Sequence, residues 1–387
     1  MRAVTFTGNN QIGLLHCGAE FFPELEAACD AAVSEIFLET YIFAADATGE
    51  RIKAALKRAA ARGVRVHVTT DWLGTGRVRC APLDTEFAAA GVQHRAFNPW
   101  FSQGVARMHR KICVVDRKLA FLGGLNVNDD MIADDDSGFP LPFPRWDFAI
   151  RIRGPLVAAI HFEAAIQWAA MGNLGLRSRW ENLRQTRGTR VEGGLVPAIV
   201  GLVVRDNLRN RHTIQRAYMQ ALGQAKTSAW LANPYFAPGR RMRNALSSAA
   251  RRGVEVTLLL GVGQFRIQDA VARSYYPKLL RSGVKIVEYT KTQLHGKVAV
   301  VDDEWATVGS SNYDGFSLFL NHEANAVIRD AEFARALKEH ILNGVADGVP
   351  VRYDELARIP WHKRAWYGAA FFLYRSIMRM ITWGRYS

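Results

Sequence analysis

One sequence pattern occurs twice in this chain of 387 residues and constrains its fold more than any other feature. The pattern is His-x-Lys-x4-Asp, then six intervening residues, then Gly-Gly-Leu-Asn or Gly-Ser-Ser-Asn. Its key positions are His109, Lys111, Asp116 and Asn126 in the first copy, and His295, Lys297, Asp302 and Asn312 in the second. Every position is shifted by 186 residues between the copies. A single short motif can match by chance, but two copies at a constant offset indicate an internal duplication.

The sequence around the two motifs repeats in the same order. Strand-like, helical and strand-like runs lie at 36–43, 51–62 and 64–68, and again at 229–236, 240–252 and 254–260. Strands that alternate with helices predict an α/β fold whose sheets are covered by helices. A duplication further predicts two halves related by a pseudo-twofold axis, with a shared cleft between them.

The repeat divides the chain into four segments. We predict a first half at 1–172, a basic linker at 173–194, a second half at 195–345 and a C-terminal tail at 346–387. The linker is rich in arginine and glycine, which is typical of a solvated connection. A surface that faces lipid phosphates is the alternative interpretation of this linker.

Charge and cysteine content narrow the class of protein. Fifty Lys and Arg residues against 36 Asp and Glu give a net charge of +14, which favours a polyanionic partner: nucleic acid, an anionic membrane or a phosphorylated substrate. The four cysteines are far apart, so neither a zinc site nor a disulfide framework is predicted. No run approaches eighteen apolar residues, so we expect no membrane-spanning helix.

The paired motifs favour chemistry on a phosphodiester. If the halves meet, two imidazoles, two ammonium groups and two carboxamides surround one point. One histidine can attack phosphorus and form a phosphohistidine, while the other, protonated, gives its proton to the departing alkoxide. The lysines and asparagines would stabilise charge on the non-bridging oxygens, and the histidines should flank the phosphorus from opposite sides. No metal or other cofactor is expected.

Two acidic residues are candidates for orienting the histidines. Glu323 lies in Asn-His-Glu-Ala-Asn and Asp147 in Arg-Trp-Asp-Phe. A carboxylate beside an imidazole fixes the ring and favours its charged form. A purely structural salt bridge is the alternative for each of them.

The doubled motif with its Asn extension resembles the phospholipase D superfamily over nearly the whole chain, and most of all its bacterial cardiolipin synthases of the B type. Similar segments lie at 38–41, 108–111, 121–126, 152–155, 294–299, 305–312 and 323–325. The resemblance implies two pseudo-twofold-related phospholipase D-like α/β halves, each a mixed sheet flanked by helices, with the active site at their interface.

The resemblance also implies an activity and roles for residues. A phosphatidyl group would pass from phosphatidylglycerol to a hydroxyl of another phospholipid through a phosphatidyl-histidine, with release of glycerol. His109 would be the nucleophile and His295 the acid, whereas Asp116 and Asp302 more often brace the loops in such folds. A hydrolase or nuclease using the same two histidines is the alternative, and a non-catalytic lipid-binding scaffold is a third.

Two features depart from this family. Many cardiolipin synthases begin with two membrane-spanning helices, for which we find no counterpart, so membrane attachment is expected elsewhere. The segment 129–136 carries five aspartates, at positions 129, 130, 134, 135 and 136. We expect a solvated loop there, with cation binding as the alternative.

The C-terminal tail is the expected attachment. On a helix, Arg364, Arg375 and Arg379 share one face, and an apolar stripe with Trp366 lies opposite, as in helices that lie in the headgroup plane. The predicted membrane contacts are Arg364, Trp366, Phe371, Phe372, Arg375, Arg379 and Trp383. A helix packed on the protein's own core is the alternative. We expect a peripheral protein on the cytoplasmic face of a bacterial inner membrane, bound to anionic phospholipid. Nucleic acid is not expected as a partner, and the sequence specifies no oligomeric state.

Overall fold

A computed structural model describes the protein at residues 6–102, 104–134, 137–172, 198–206, 210, 212–315, 317 and 320–381. The predicted linker 173–194 and the predicted membrane contact Trp383 lie outside the described residues, as do Asp135 and Asp136 of the aspartate-rich segment.

The first half alternates strands and helices as the sequence predicts. Its elements are β1 (Phe6–His16), α1 (Cys17–Asp30), β2 (Glu35–Thr40), α2 (Ala47–Ala61), β3 (Arg65–Asp71), α3 (Arg77–Ala89), β4 (Gln93–Phe97), β5 (Ile112–Val115), β6 (Leu119–Gly123), β7 (Phe148–Arg153) and α4 (Leu156–Met171). Strand β2 ends earlier than the apolar run suggested, because the N–H of Ile42 donates to the side chain of Asn126 and leaves the ladder.

The second half repeats this order. Its elements are β8 (Ala198–Arg205), α5 (Thr213–Gln224), β9 (Ser228–Asn233), α6 (Arg240–Arg251), β10 (Glu255–Gly261), α7 (Arg266–Arg281), β11 (Lys285–Tyr289), β12 (Val298–Val301), β13 (Trp305–Gly309), β14 (Glu323–Arg329) and α8 (Ala331–Ala346). The predicted tail follows with β15 (Val349–Pro350), α9 (Tyr353–Ala357) and α10 (Trp361–Ile381), which have no counterpart in the first half. Strand β9 ends at Asn233 because Pro234 has no N–H to donate to the ladder.

The strands of the described chain form one mixed sheet with a nearly palindromic order. That order is β4-β3-β2-β5-β6-β7-β1-β8-β14-β13-β12-β9-β10-β11-β15. Strands β1 and β8 are equivalent elements and pair antiparallel at the centre, where Phe6 lies opposite Gly201. The pseudo-twofold α/β architecture is therefore confirmed. The sequence did not reveal that the two half-sheets join edge to edge through this pair.

The two halves share a core. One buried apolar cluster combines side chains from both, for example Ile150 of β7, Val308 of β13 and Leu337 of α8. Separate clusters lie beneath α1 and α2 in the first half and beneath α5, α6 and α7 in the second. Because protein cores are close-packed, this shared cluster fixes the position of one motif relative to the other.

One side of helix α10 packs on the protein core and the other side is exposed, so the helix has features of both alternatives considered for the tail. Ala370 and Met378 are buried, and the ring of Phe371 packs against Tyr275 of α7 at 5.5 Å between centroids. Phe371, predicted to contact the membrane, is thus half-buried in the protein. The opposite side remains exposed: Trp366 is 47% exposed and Phe372 66%. Among the helices that the structure describes, none combines the length and apolar character needed to cross a membrane.

Candidate active site

Each motif histidine lies on a loop that the opposite half holds in place. His109 precedes β5, and its N–H donates to the carbonyl of His322 at 2.9 Å. His295 precedes β12, and its N–H donates to the carbonyl of Trp146, also at 2.9 Å. The position of each catalytic loop therefore depends on the docking of the two halves.

The two candidate acids pair with the histidines across the same interface. Nδ1 of His109 lies 3.0 Å from Oε2 of Glu323, and Nδ1 of His295 lies 2.5 Å from Oδ2 of Asp147. Burial alone would favour the neutral carboxyls. Lys297 and His295 nevertheless lower the pKa of Asp147, and His109 lowers the pKa of Glu323. Both acids are therefore held as anions that orient an imidazole from the other half.

The small residues of the motif extension make room for these carboxylates. A Cβ on Gly124 would lie 2.2 Å from Oδ1 of Asp147, so only glycine fits there. The equivalent residue of the second half is Ser310, whose hydroxyl donates to Glu323 at 2.5 Å. The Gly-Gly variant of the motif thus lies against the aspartate, Asp147, and the Gly-Ser variant lies against the glutamate, Glu323.

The lysines of the two motifs form one buried cationic centre. Nζ of Lys111 donates to the carbonyl of His109 at 2.8 Å, and Nζ of Lys297 donates to the carbonyl of His295. Burial, followed by the charge of Lys297, lowers the pKa of Lys111 to about 7, and burial lowers the pKa of Lys297 to about 8. The charge of Lys297 thus acts on Lys111 from the other half of the chain.

The histidines respond to the same surroundings. Burial and then the charge of Lys297 lower the pKa of His295 to about 4, although Asp147 and Asp134 oppose the shift. Burial also lowers the pKa of His109, against the effect of Glu323. A bound phosphate anion would raise the pKa of both imidazoles, against the lowering caused by burial. Substrate binding would therefore favour the protonated histidines.

The motif asparagines differ in what they bind. Oδ1 of Asn126 accepts a hydrogen bond from Ile42 N at 3.2 Å. Asn312 is buried, and its Oδ1 finds no hydrogen-bond partner within the described ranges. A buried polar atom without a partner is costly in a stable fold, so Asn312 is available to a bound group.

Asp116 and Asp302, grouped with the catalytic residues by the motif, lie at the far ends of β5 and β12 from the histidines. Oxygens of Asp302 accept hydrogen bonds from Lys226 N, Thr227 N, Thr227 Oγ1 and Ser228 N at 2.8–3.0 Å. Asp116 accepts the equivalent four bonds from residues 33–35 at 2.7–3.0 Å. The structure does not bring these carboxylates to the site, and we assign them a positioning role.

Within the described part of the aspartate-rich segment, Asp134 is not the solvated residue that the sequence suggested. The side chain of Asp134 is only 6% exposed, and its Oδ2 lies 3.4 Å from Nε2 of His295. Arg145 holds the segment by donating to Asn128 Oδ1 at 3.1 Å and to the carbonyl of Ile132. The sequence analysis did not select Arg145 and Asp134 as site residues, because a run of polar residues between strands is typical of a solvent-exposed loop.

Tyr41 is a further site residue that the motif analysis did not select. Its ring lies edge-on to His109 at 4.9 Å, and Nζ of Lys111 lies 5.3 Å from its centroid. The tyrosine belongs to the segment 38–41 that resembles the family, which was the available signal.

Comparisons with known proteins agree with this geometry. A family model described as "Cardiolipin synthase, PLD-like domain" matches residues 25–136 and 218–343. Cardiolipin synthase B of Salmonella typhi is 38% identical across 97% of this chain and 90% of its own length, and the Escherichia coli (strain K12) protein of that name gives the same figures. The crystal structure of phosphatidylserine synthase from Haemophilus influenzae has a TM-score of 0.70 at 16% identity, covering 98% of this chain and 97% of that one.

The duplicated fold and the paired histidines define an enzyme of the phospholipase D superfamily. Within that superfamily the chain belongs to the cardiolipin synthase family, and it is similar to the B-type synthases. The resemblance drawn from the sequence is confirmed.

Proposed function

We propose that the protein transfers a phosphatidyl group from phosphatidylglycerol to a hydroxyl of a second phospholipid, forming cardiolipin and releasing glycerol. The observation that carries the proposal is the reciprocal pairing of two histidines with two buried acids, His109 with Glu323 and His295 with Asp147. The named activity of the similar synthases supports the choice of substrate.

In the first step, Nε2 of His109 attacks phosphorus. The P–N bond forms as the P–O bond to glycerol breaks, and His295 gives its Nε2 proton to the departing oxygen. In the second step, a lipid hydroxyl loses its proton to His295, and its oxygen attacks phosphorus. The P–N bond breaks, and both histidines return to their starting state.

The remaining residues of the site stabilise this exchange. Lys111, Lys297 and the carboxamides of Asn126 and Asn312 would contact the non-bridging oxygens, whose charge shifts in the five-coordinate transition state. Glu323 and Asp147 would hold the rings through Nδ1, so that Nε2 of each faces the phosphorus. Preorganised donors of this kind act strongly in a site from which water is excluded.

The decisive assay supplies purified protein with vesicles that contain phosphatidylglycerol. Cardiolipin and glycerol in equal amounts are the expected products. Phosphatidic acid alone would make the protein a phospholipase, and cleavage of oligonucleotides without lipid turnover would make it a nuclease.

Single variants assign the two histidines. Substitutions His109→Ala and His295→Ala should each abolish turnover. His295→Ala denatured at neutral pH, where the P–N bond survives, should carry a phosphatidyl adduct on His109, whereas His109→Ala should carry none. An adduct on His295 in the His109→Ala protein would reverse the assignment.

Helix α10 is the membrane contact in this proposal, and the cytoplasmic face of a bacterial inner membrane is the proposed location. Its exposed side presents Trp366, Phe372, Leu373 and Met380 beside Arg364 and Arg379. Apolar residues flanked by arginines bind anionic headgroups, with about 1 kcal/mol for each basic residue. We expect the double variant Phe372→Ser/Leu373→Ser to bind phosphatidylglycerol vesicles more weakly in flotation assays, while activity on dispersed short-chain substrate persists. Leu342→Ser, which alters an exposed leucine of α8, is the matched control and should bind normally.

A further inference from the structure

The two halves of the active site differ in one long segment. Twenty residues separate Asn126 from Asp147, whereas ten separate Asn312 from Glu323. The additional length carries Asp134, and Oδ2 of this residue lies 3.4 Å from Nε2 of His295. In the part of the chain that the structure describes, no carboxylate is recorded against Nε2 of His109. The two histidines are thus distinguished at the nitrogens that serve as nucleophile and acid.

The carboxylate of Asp134 is fixed in place by amide donors. Its Oδ1 accepts hydrogen bonds from Gln264 Nε2 at 2.6 Å and from Gln293 Nε2. Gln264 is itself held by the hydroxyl of Tyr235, which donates to its Oε1 at 2.8 Å. These contacts occupy Oδ1 and leave Oδ2 facing the ring.

The ring and the carboxylate lie side by side, so each can face a different oxygen of one substrate. A separation of 3.4 Å exceeds the 2.7–3.2 Å of an ordinary N–H···O hydrogen bond, so Asp134 does not strongly bind the Nε2 proton. An alcohol can therefore present one oxygen to Nε2 and a second hydroxyl to Oδ2. An ionised carboxylate only accepts, so the second group must be a donor.

A cavity of about 370 Å³ lies on this side of the site. Its lining includes the residues that hold Asp134, namely Gln264, Gln293 and Tyr235, and also Leu294, which precedes His295 in the chain. Its volume lies within the range of small-molecule pockets. If His109 is the nucleophile, the alcohol leaves and enters on the side of His295, where Asp134 lies.

We propose that Asp134 is a specificity-determining residue that recognises a 1,2-diol, the chemical group of a glycerol headgroup. The reacting oxygen lies at Nε2 of His295, and the neighbouring hydroxyl donates to Oδ2 of Asp134. Simple primary alcohols lack the second donor. This inference rests on the proposed transfer reaction and identifies the alcohol that the reaction uses.

Competition between acceptors tests the proposal. Purified protein with phosphatidylglycerol vesicles is given 1,2-propanediol, 1-propanol and ethanolamine at equal concentrations, and the phosphatidyl products are measured by mass spectrometry. Wild-type protein should favour the diol over 1-propanol by about tenfold or more, the effect of one hydrogen bond to a charged group. Asp134→Ser should bring this ratio close to one while phosphatidylpropanol still forms. Asp129→Asn, a change in the same segment whose carboxylate accepts from Met131 N, should keep the wild-type ratio.

Several results would overturn the inference. An unchanged ratio in Asp134→Ser, or a wild-type protein that prefers ethanolamine, would remove the diol assignment. Loss of all products in both Asp134→Ser and the isosteric Asp134→Asn would make the carboxylate essential to the chemistry rather than to recognition. Wild-type protein that transfers to none of the alcohols and makes no cardiolipin would instead refute the proposed function.

Discussion

Replacing Asp302 by alanine separates a structural from a chemical role for the motif aspartates. The carboxylate accepts four hydrogen bonds from residues 226–228 and so joins the β12–β13 turn to the start of β9. A hydrogen bond contributes about 0.5–1.5 kcal/mol net, and these donors regain water when the carboxylate is removed. We therefore expect a loss of about 2–4 kcal/mol in the free energy of unfolding.

This loss can be converted into a melting temperature. Unfolding entropy is about 2.1 cal/mol/K per residue, or about 0.8 kcal/mol/K for a chain of this length. The melting temperature of Asp302→Ala should then fall by about 3–5 °C in calorimetry. Asp303→Ala is the matched control, because within the described ranges the carboxylate of Asp303 makes a surface ion pair with Lys338 at 2.8 Å, whose loss should cost less than about 1 kcal/mol.

The pH dependence of stability gives a second check. Burial opposes the shift, but the N–H groups of Thr227, Ser228 and Lys226 lower the folded-state pKa of Asp302. A lowered folded-state pKa stabilises the protein fully above the unfolded value of about 3.9, and this contribution is lost as pH falls through the folded value. The stability difference between wild type and Asp302→Ala should hold at pH 7 and shrink below about pH 4. An Asp302→Ala protein as stable as wild type but without activity at 25 °C would refute the structural role.

Three further predictions concern the chemistry of the site. Glu323→Gln and Asp147→Asn should each lower kcat by about 10- to 100-fold in folded protein, since each removes one charged hydrogen bond to a histidine; unchanged kcat in either would contradict its orienting role. Inhibition by inorganic sulfate should weaken from pH 6 to pH 9 as Lys111 and Lys297, with pKa values lowered to about 7 and about 8, lose charge; a constant inhibition constant would contradict this. Gly124→Ala should abolish turnover by displacing Asp147, whereas an active variant would show that this close approach is dispensable.

Local features of the fold were readable from the sequence because they depend on short-range patterns. The alternation of apolar runs with helical periodicity located β2, α2 and β3, and the repeat of this order located their counterparts in the second half. The pairing of β1 with β8 was not readable, because the partner of each strand is set by the docking of the two halves.

The sequence predicted residues of the site but not which of them pair with each other. Glu323 and Asp147 stood out as acids near the motifs, but their partners are 214 and 148 residues away in sequence, and only the folded interface matches them. Asp134 could not be distinguished from its acidic neighbours by residue type. What separates it is the pair of glutamines, Gln264 and Gln293, that reach it from the second half.

The exchange of acids between the halves has an evolutionary consequence. After a duplication, each repeat can usually accumulate mutations independently of the other. Here neither repeat holds a histidine together with the acid that pairs with it. Loss of the acid in one repeat impairs the histidine in the other repeat, so selection acts on both repeats together. A separately expressed half should therefore lack activity until its complement is supplied.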